Sequence, residues 1–218
     1  MKRFFLWLRQ NPHVWWSLLL FYLLALYFLA ENCVTGDYHA TQTAIDTYIP
    51  FFAPAVVAYF LWFPLLAGTG LRLMAKDGRG FRRFMWFLAV CFTISAAVYF
   101  LWPSGQDLRP DLSAPKGIFE RVLSRIYAFD TNTNVFPSLH VSCSVGAALA
   151  LWDSPTTKKN GIRPAAAALA VLIIASTVLV KQHAFMDIPG GFAAALLSRG
   201  AVKALEIITR NSGERVKS

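Results

Sequence analysis

Four stretches of this sequence carry residues whose types and spacing suit chemistry. They are Arg109-Pro110, the run Asn134-Val-Phe-Pro-Ser138-Leu139-His140, the pair Ser176-Thr177, and the run Lys181-Gln-His183 that reaches Asp187-Ile-Pro-Gly-Gly. His183 and Asp187 stand four apart, so on a helix they would share a face. The carboxylate could then hold one imidazole nitrogen and leave the other free to attack. Pro189 bears on this, because proline fits a first helical turn but interrupts the ladder deeper in, which starts the regular helix nearer Phe185. His140 alone would read as an interfacial anchor at a helix end. With His183 on the same surface, the two suit displacement at phosphorus: one imidazole as nucleophile, the other as proton donor to the departing oxygen.

Binding groups for such a substrate are also present. Arg109 offers a planar fork for phosphoryl oxygens, and Lys181 offers a second cation; either could instead snorkel to lipid headgroups. The Ser138-Leu139-His140 segment, at the start of an apolar run, supplies backbone N–H groups together with the Ser138 hydroxyl. Metal binding is the competing use of His and Asp. Two histidines and one aspartate without a fourth clear ligand, beside Arg and Lys, disfavour a cation, so a site free of metal and cofactor is expected.

The elements that must position these residues are read from hydropathy. In 218 residues, 56% are hydrophobic and only 15% charged, and the charges cluster between apolar runs, a pattern of loops between membrane-spanning helices. Lipid cannot satisfy backbone polar groups, so a span takes roughly 17 to 25 apolar residues as a helix. Six segments approach that length, near Val14–Ala30, Phe51–Ala67, Phe84–Trp102, Val135–Trp152, Pro164–Val180 and His183–Leu205. The expected fold class is therefore all-α, a six-helix polytopic membrane bundle forming a single domain over 1–218, with residues 211–218 as a polar, disordered tail. The first run is basic at its start and ends in Glu-Asn-Cys, not in a small-residue cleavage site, so it reads as an uncleaved anchor.

Orientation follows from the basic residues. Arg72, Lys76, Arg79, Arg82 and Arg83 crowd the loop after the second run, whereas no Lys or Arg occurs in 31–50. Alternating six spans puts both termini in the cytoplasm and all four chemical stretches on the opposite face. The membrane expected is of the bacterial inner (plasma) type. The net charge of +9 is explained by those loops, and no basic-aromatic module points to nucleic acid. Three cysteines, with Cys91 and Cys143 inside apolar runs, read as packing residues. The pattern sets no oligomeric state.

Arg109-Pro110, Pro137-Ser138-Leu139-His140 and Ser176 through His183 to Asp187 resemble, in order and spacing, the three signatures of the type-2 phosphatidic acid phosphatase superfamily. The resemblance covers roughly residues 100–191. It implies a membrane lipid phosphatase with His183 as the nucleophile that forms a phosphohistidine. It further implies Asp187 as the orienting carboxylate, His140 as general acid, and Arg109 with Ser138 binding phosphate. The sequence departs from the commonest pattern at Trp102, where a lysine precedes the Arg-Pro, at Leu139 in place of glycine, and at Thr177 in place of arginine. Phe-Pro-Ser-Leu-His and Lys-Gln-His are more similar to the branch of inositol phosphorylceramide synthases and related phosphotransferases, where Lys181 would replace a lost cation. The implied partner is an amphiphilic phospholipid in the bilayer, with either water or an alcohol as acceptor. A transporter or structural membrane protein is the rival reading, against which the absence of an inverted repeat counts.

Overall fold

The computed structural model describes residues 9–33 and 37–215, with the side chains of Cys33 and of 210–215 excepted. The chain is mostly helical. A 3-10 turn at Pro12–Leu18 leads into α1 (Leu19–Cys33), and Pro12 opens that turn where its missing N–H costs nothing. A short α2 (Val56–Phe60) runs on through Leu61 into α3 (Trp62–Lys76), followed by α4 (Gly78–Leu101). Then come α5 (Ile118–Phe129), α6 (Leu139–Asp153), α7 (Ile162–Leu179) and α8 (Asp187–Arg215).

Four of these stretches are long and apolar enough to cross a membrane: Pro12–Asn32, Ala53–Lys76, Gly78–Leu101 and Ile162–Leu179. Together they make this an integral membrane protein. The other two expected spans differ in an instructive way. The segment expected from Val135 becomes helix only after Ser138 caps it, which leaves the shorter α6 (Leu139–Asp153). The last expected span starts at Asp187 instead of His183, and Arg199, Lys203 and Glu206 along α8 lower its hydropathy. Helix α8 continues to Arg215, and residues 216–218 of the expected tail lie outside the described residues.

Helix α4 is the hub of the bundle. Phe84, Leu88, Cys91, Ser95 and Tyr99 recur at helical spacing along its buried face, and α1, α3, α6 and α8 pack around it. Without a hydrophobic drive between helices in lipid, close approach needs small residues. Gly146 of α6 lies directly beneath the Phe87 ring of α4. At the site end, Gly191 of α8 packs on Val141 and on the Ser138 carbonyl, where a Cβ would come within 2.6 Å of the Val141 Cβ. Outward-facing residues such as Phe21, Phe28, Val171 and Leu196 are exposed and apolar, as a lipid-facing surface requires.

The loops at that end are tied together, not loose. β1 (His39–Ala40) pairs in parallel with β2 (Ser104–Gly105), and Gly105 bridges to Thr133. Tyr99 at the end of α4 donates from its hydroxyl to the Pro137 carbonyl at 2.9 Å, and the Phe136 N–H donates to Ser104 Oγ at 3.0 Å. These bonds fix the segment that delivers Ser138 to the start of α6.

Candidate active site

Ser138 caps α6: its Oγ accepts the Val141 N–H at 3.4 Å while its carbonyl takes the Ser142 N–H at 3.0 Å. Across from it, α7 ends and the chain reverses through Val180 to Met186. Lys181 adopts a left-handed φ of 55°, and the Thr177 carbonyl accepts both the Gln182 and His183 N–H groups, at 3.0 and 3.1 Å. That reversal holds His183 outside regular helix, so its pairing with Asp187 does not come from a shared helical face. Asp187 instead opens α8 and folds its carboxylate back, with Oδ2 accepting from the Ala184 N–H at 2.9 Å and lying 3.1 Å from His183 Nδ1. Pro189 then falls in the first turn of α8, where it is tolerated.

A carboxylate can only accept, so His183 Nδ1 carries a proton, and in the neutral ring Nε2 is the acceptor. Ser138 Oγ lies 3.1 Å from that Nε2, and its hydroxyl is the donor. Asp187 and Ser138 are fully buried and His183 nearly so. The His140 ring stands 5.8 Å from the His183 ring, centroid to centroid. His140 is held between the Tyr59 ring at 4.3 Å and the Trp62 ring at 4.7 Å, and its Nε2 is buried with no partner among the described residues. Leu139 packs its side chain against the central core, while its backbone N–H belongs to the donor-rich first turn of α6.

Ser138, His140, His183 and Asp187 are thus brought together. The two cations are placed differently. Arg109 lies against the C-terminal end of α5, donating to the carbonyls of Tyr127 (3.3 Å), Asp130 (2.8 Å) and Thr131 (2.7 Å), with its guanidinium over the Tyr127 ring. Its Nε is buried and has no partner among the described residues. Burial pushes the Arg109 pKa down, opposed by Asp130, though guanidinium stays charged in proteins. Lys181 turns away from the histidines: Nζ donates to the Ile49 carbonyl at 2.6 Å and the Asp46 carbonyl at 3.2 Å. It clamps the first loop onto the reversal. Ser176 and Thr177 bond their own helix through the Ile173 and Ile174 carbonyls, so neither hydroxyl joins the cluster.

Several residues invisible to motif reading complete the arrangement. Asp46 is buried in the first loop, where it makes a capping box with Thr43 and accepts the Phe185 N–H through Oδ1 at 2.7 Å. Its Thr-x-x-Asp spacing was the one local signal for such a role. Asp130, which ends α5, accepts from Gln182 Nε2 at 2.8 Å and from the Tyr59 hydroxyl at 3.3 Å. Tyr127 reaches the Val180 carbonyl at 2.6 Å, and burial pushes its phenol up to about 12. Among the described residues, no three His, Cys, Asp or Glu side chains converge as metal ligands do.

A membrane-embedded helical bundle that places a carboxylate-held imidazole, a capping serine and a second, half-buried imidazole at one end has the parts of a phosphoryl-handling site. A family model described as PAP2 superfamily matches residues 30–201, and the chain belongs to that superfamily, whose members are generally phosphatases. No curated protein and no solved structure gave a match.

Proposed function

We propose that this protein is a metal-independent lipid phosphatase acting through a phosphohistidine on His183. The observation that carries the reading is the Ser138–His183–Asp187 chain, with Nδ1 held at 3.1 Å by a fully buried carboxylate and Nε2 presented beside a helix start. Nε2 attacks phosphorus, the bond to the lipid oxygen breaks, and His140 delivers a proton to that oxygen. Water then attacks the phosphohistidine, His140 takes a proton back, and inorganic phosphate leaves. Ser138 Oγ and the first-turn N–H groups of Leu139 and His140 supply donors for the phosphoryl oxygens. Arg109, held by the Tyr127, Asp130 and Thr131 carbonyls, is the cation offered to the phosphoryl group, with Nε as its uncommitted donor. Lys181 acts on the fold of the loop and not on phosphate.

The substrate is an amphiphile whose tails stay among the helices while its headgroup reaches the paired histidines. In this reading α6 and α8 complete six crossings, the basic loop of Arg72, Lys76, Arg79, Arg82 and Arg83 is cytoplasmic, and the site faces the opposite side with both termini in the cytoplasm. Single cysteines introduced at Ala114 and Lys159 should then react with an impermeant thiol reagent from opposite sides; labelling from one side reverses this topology.

The direct test of the chemistry uses purified protein in detergent with a radiolabelled phosphatidate. An acid-labile, base-stable phosphoenzyme should form, resist chelators, and vanish in His183→Ala. Its persistence in that variant rejects the nucleophile. Added alcohols that divert the label from inorganic phosphate to a new ester would make the same phosphoenzyme a transferase, as the Phe-Pro-Ser-Leu-His likeness to synthases suggests.

A further inference from the structure

Asp130 is the point at which the separate parts of this site meet. Its carbonyl accepts from Arg109 at 2.8 Å. Its carboxylate Oδ2 accepts from Gln182, the residue before His183, and from Tyr59, whose ring stacks on His140 with planes 26° apart. Tyr59 comes from α2, Asp130 from the end of α5, Gln182 from the reversal after α7, and His140 from α6. Three elements distant in sequence are therefore registered through one oxygen atom.

We infer that Asp130 is a positioning residue: by holding the Tyr59 hydroxyl it sets the Tyr59 ring against His140, and thereby the orientation and charge of the proton donor. This rests on the role given to His140 above. The physical argument has two parts. A stacked aromatic face stabilises an imidazolium by cation–π attraction, and the attraction grows when the pair is shielded from water. A tyrosine whose hydroxyl is unanchored can slide along the stack, which loosens both that stabilisation and the aim of Nε2. Burial pushes the Asp130 carboxyl up, and the nearby His183 is the strongest influence in the other direction, which places the group in the electrostatic reach of the cluster.

A purely structural role for Asp130 is separable from this one. Its backbone bonds, to Arg109 from the carbonyl and to the Ile126 carbonyl from the N–H, survive any side-chain substitution. The inference concerns the carboxylate alone, and it predicts dependence on the leaving group. A lipid alkoxide needs a proton to depart, whereas nitrophenolate leaves with little help.

The experiment compares Asp130→Ala, Asp130→Asn, Tyr59→Phe, their Ala/Phe double variant and His140→Ala on phosphatidate and on nitrophenyl phosphate. On phosphatidate, Asp130→Ala and Tyr59→Phe should each lose about 10- to 100-fold in kcat, a part of the roughly 100- to 10,000-fold that general-acid catalysis supplies, with KM little changed. On nitrophenyl phosphate most of that loss should disappear, as for His140→Ala. The double variant should be no worse than the weaker single, and Asp130→Asn, which keeps an acceptor oxygen, should recover part of the rate. Equal losses of Asp130→Ala on both substrates, or losses of the two singles that multiply, overturn the inference. A His140→Ala loss that is itself the same on both substrates instead overturns the general-acid role. Tyr59→Phe and Asp130→Asn preserve shape, so the comparison stands even if Asp130→Ala folds poorly.

Discussion

Asp187→Asn is the sharpest perturbation of the proposed mechanism, because it changes charge and almost nothing else. Asp187 is fully buried, and its Oδ2 takes two donors, the Ala184 N–H and His183 Nδ1–H. An asparagine keeps both bonds if its oxygen occupies the Oδ2 position, so the imidazole stays in place. What disappears is the negative charge that faces the ring as phosphorylation at Nε2 makes it cationic. Bonds to charged groups are worth about 1.5–3 kcal/mol against about 0.5–1.5 for neutral ones, which sets a floor near 1 kcal/mol for the loss. Coulomb's law at an effective dielectric near 20 and a separation of about 4 Å sets a ceiling near 4 kcal/mol. At 1.36 kcal/mol per decade the expected fall in kcat is about 5- to 1,000-fold. Because Asp187 touches no substrate, KM should hardly move. The thermal midpoint should stay level or rise, since a buried charge is exchanged for a neutral amide. Single-turnover phosphoenzyme formation together with a melting curve in detergent checks both. Asp187→Asn with unchanged kcat, or with its whole loss in KM, would refute the carboxylate's part in the chemistry.

The approach of α8 to α6 can be tested without touching any reactive group. Gly191→Val must displace either Val141 or the Ser138 carbonyl, which a Cβ at Gly191 would meet at 2.6 and 2.8 Å, so it should cost about 1–3 kcal/mol of stability and lengthen the Ser138–His183 contact. Gly200→Ala on the same helix, where nothing lies within 4 Å, should be neutral or stabilising by up to about 1 kcal/mol with activity intact. Melting curves and kcat for the pair check this, and equal behaviour of the two would remove the packing argument.

Much of the site was legible because its signals are local. Ser138, His140, His183 and Asp187 lie in two short motifs at the ends of apolar runs, and those runs announce membrane helices by composition alone. Helix ends were less legible. His183 sits in a reversal stapled by the Thr177 carbonyl and by Asp46, contacts that no periodicity encodes. A count of apolar runs does not see that Ser138 caps α6 late and shortens it, nor does it weigh Arg199, Lys203 and Glu206, which punctuate α8.

The sequence by itself determined the residue types available for chemistry, the membrane setting and the family. Only the tertiary structure decided what each charged group does. Arg109 and Lys181 carry the same formal charge, yet carbonyls at the end of α5 hold the first and carbonyls of the first loop hold the second. Asp46 and Asp130 look in the sequence like ordinary outer-loop acids, but folding buries the first and ties both to partners from distant elements. The physical reason is that a buried polar group must find its partner wherever the fold supplies one. That partner is set by the packing of whole helices, not by neighbours in the chain.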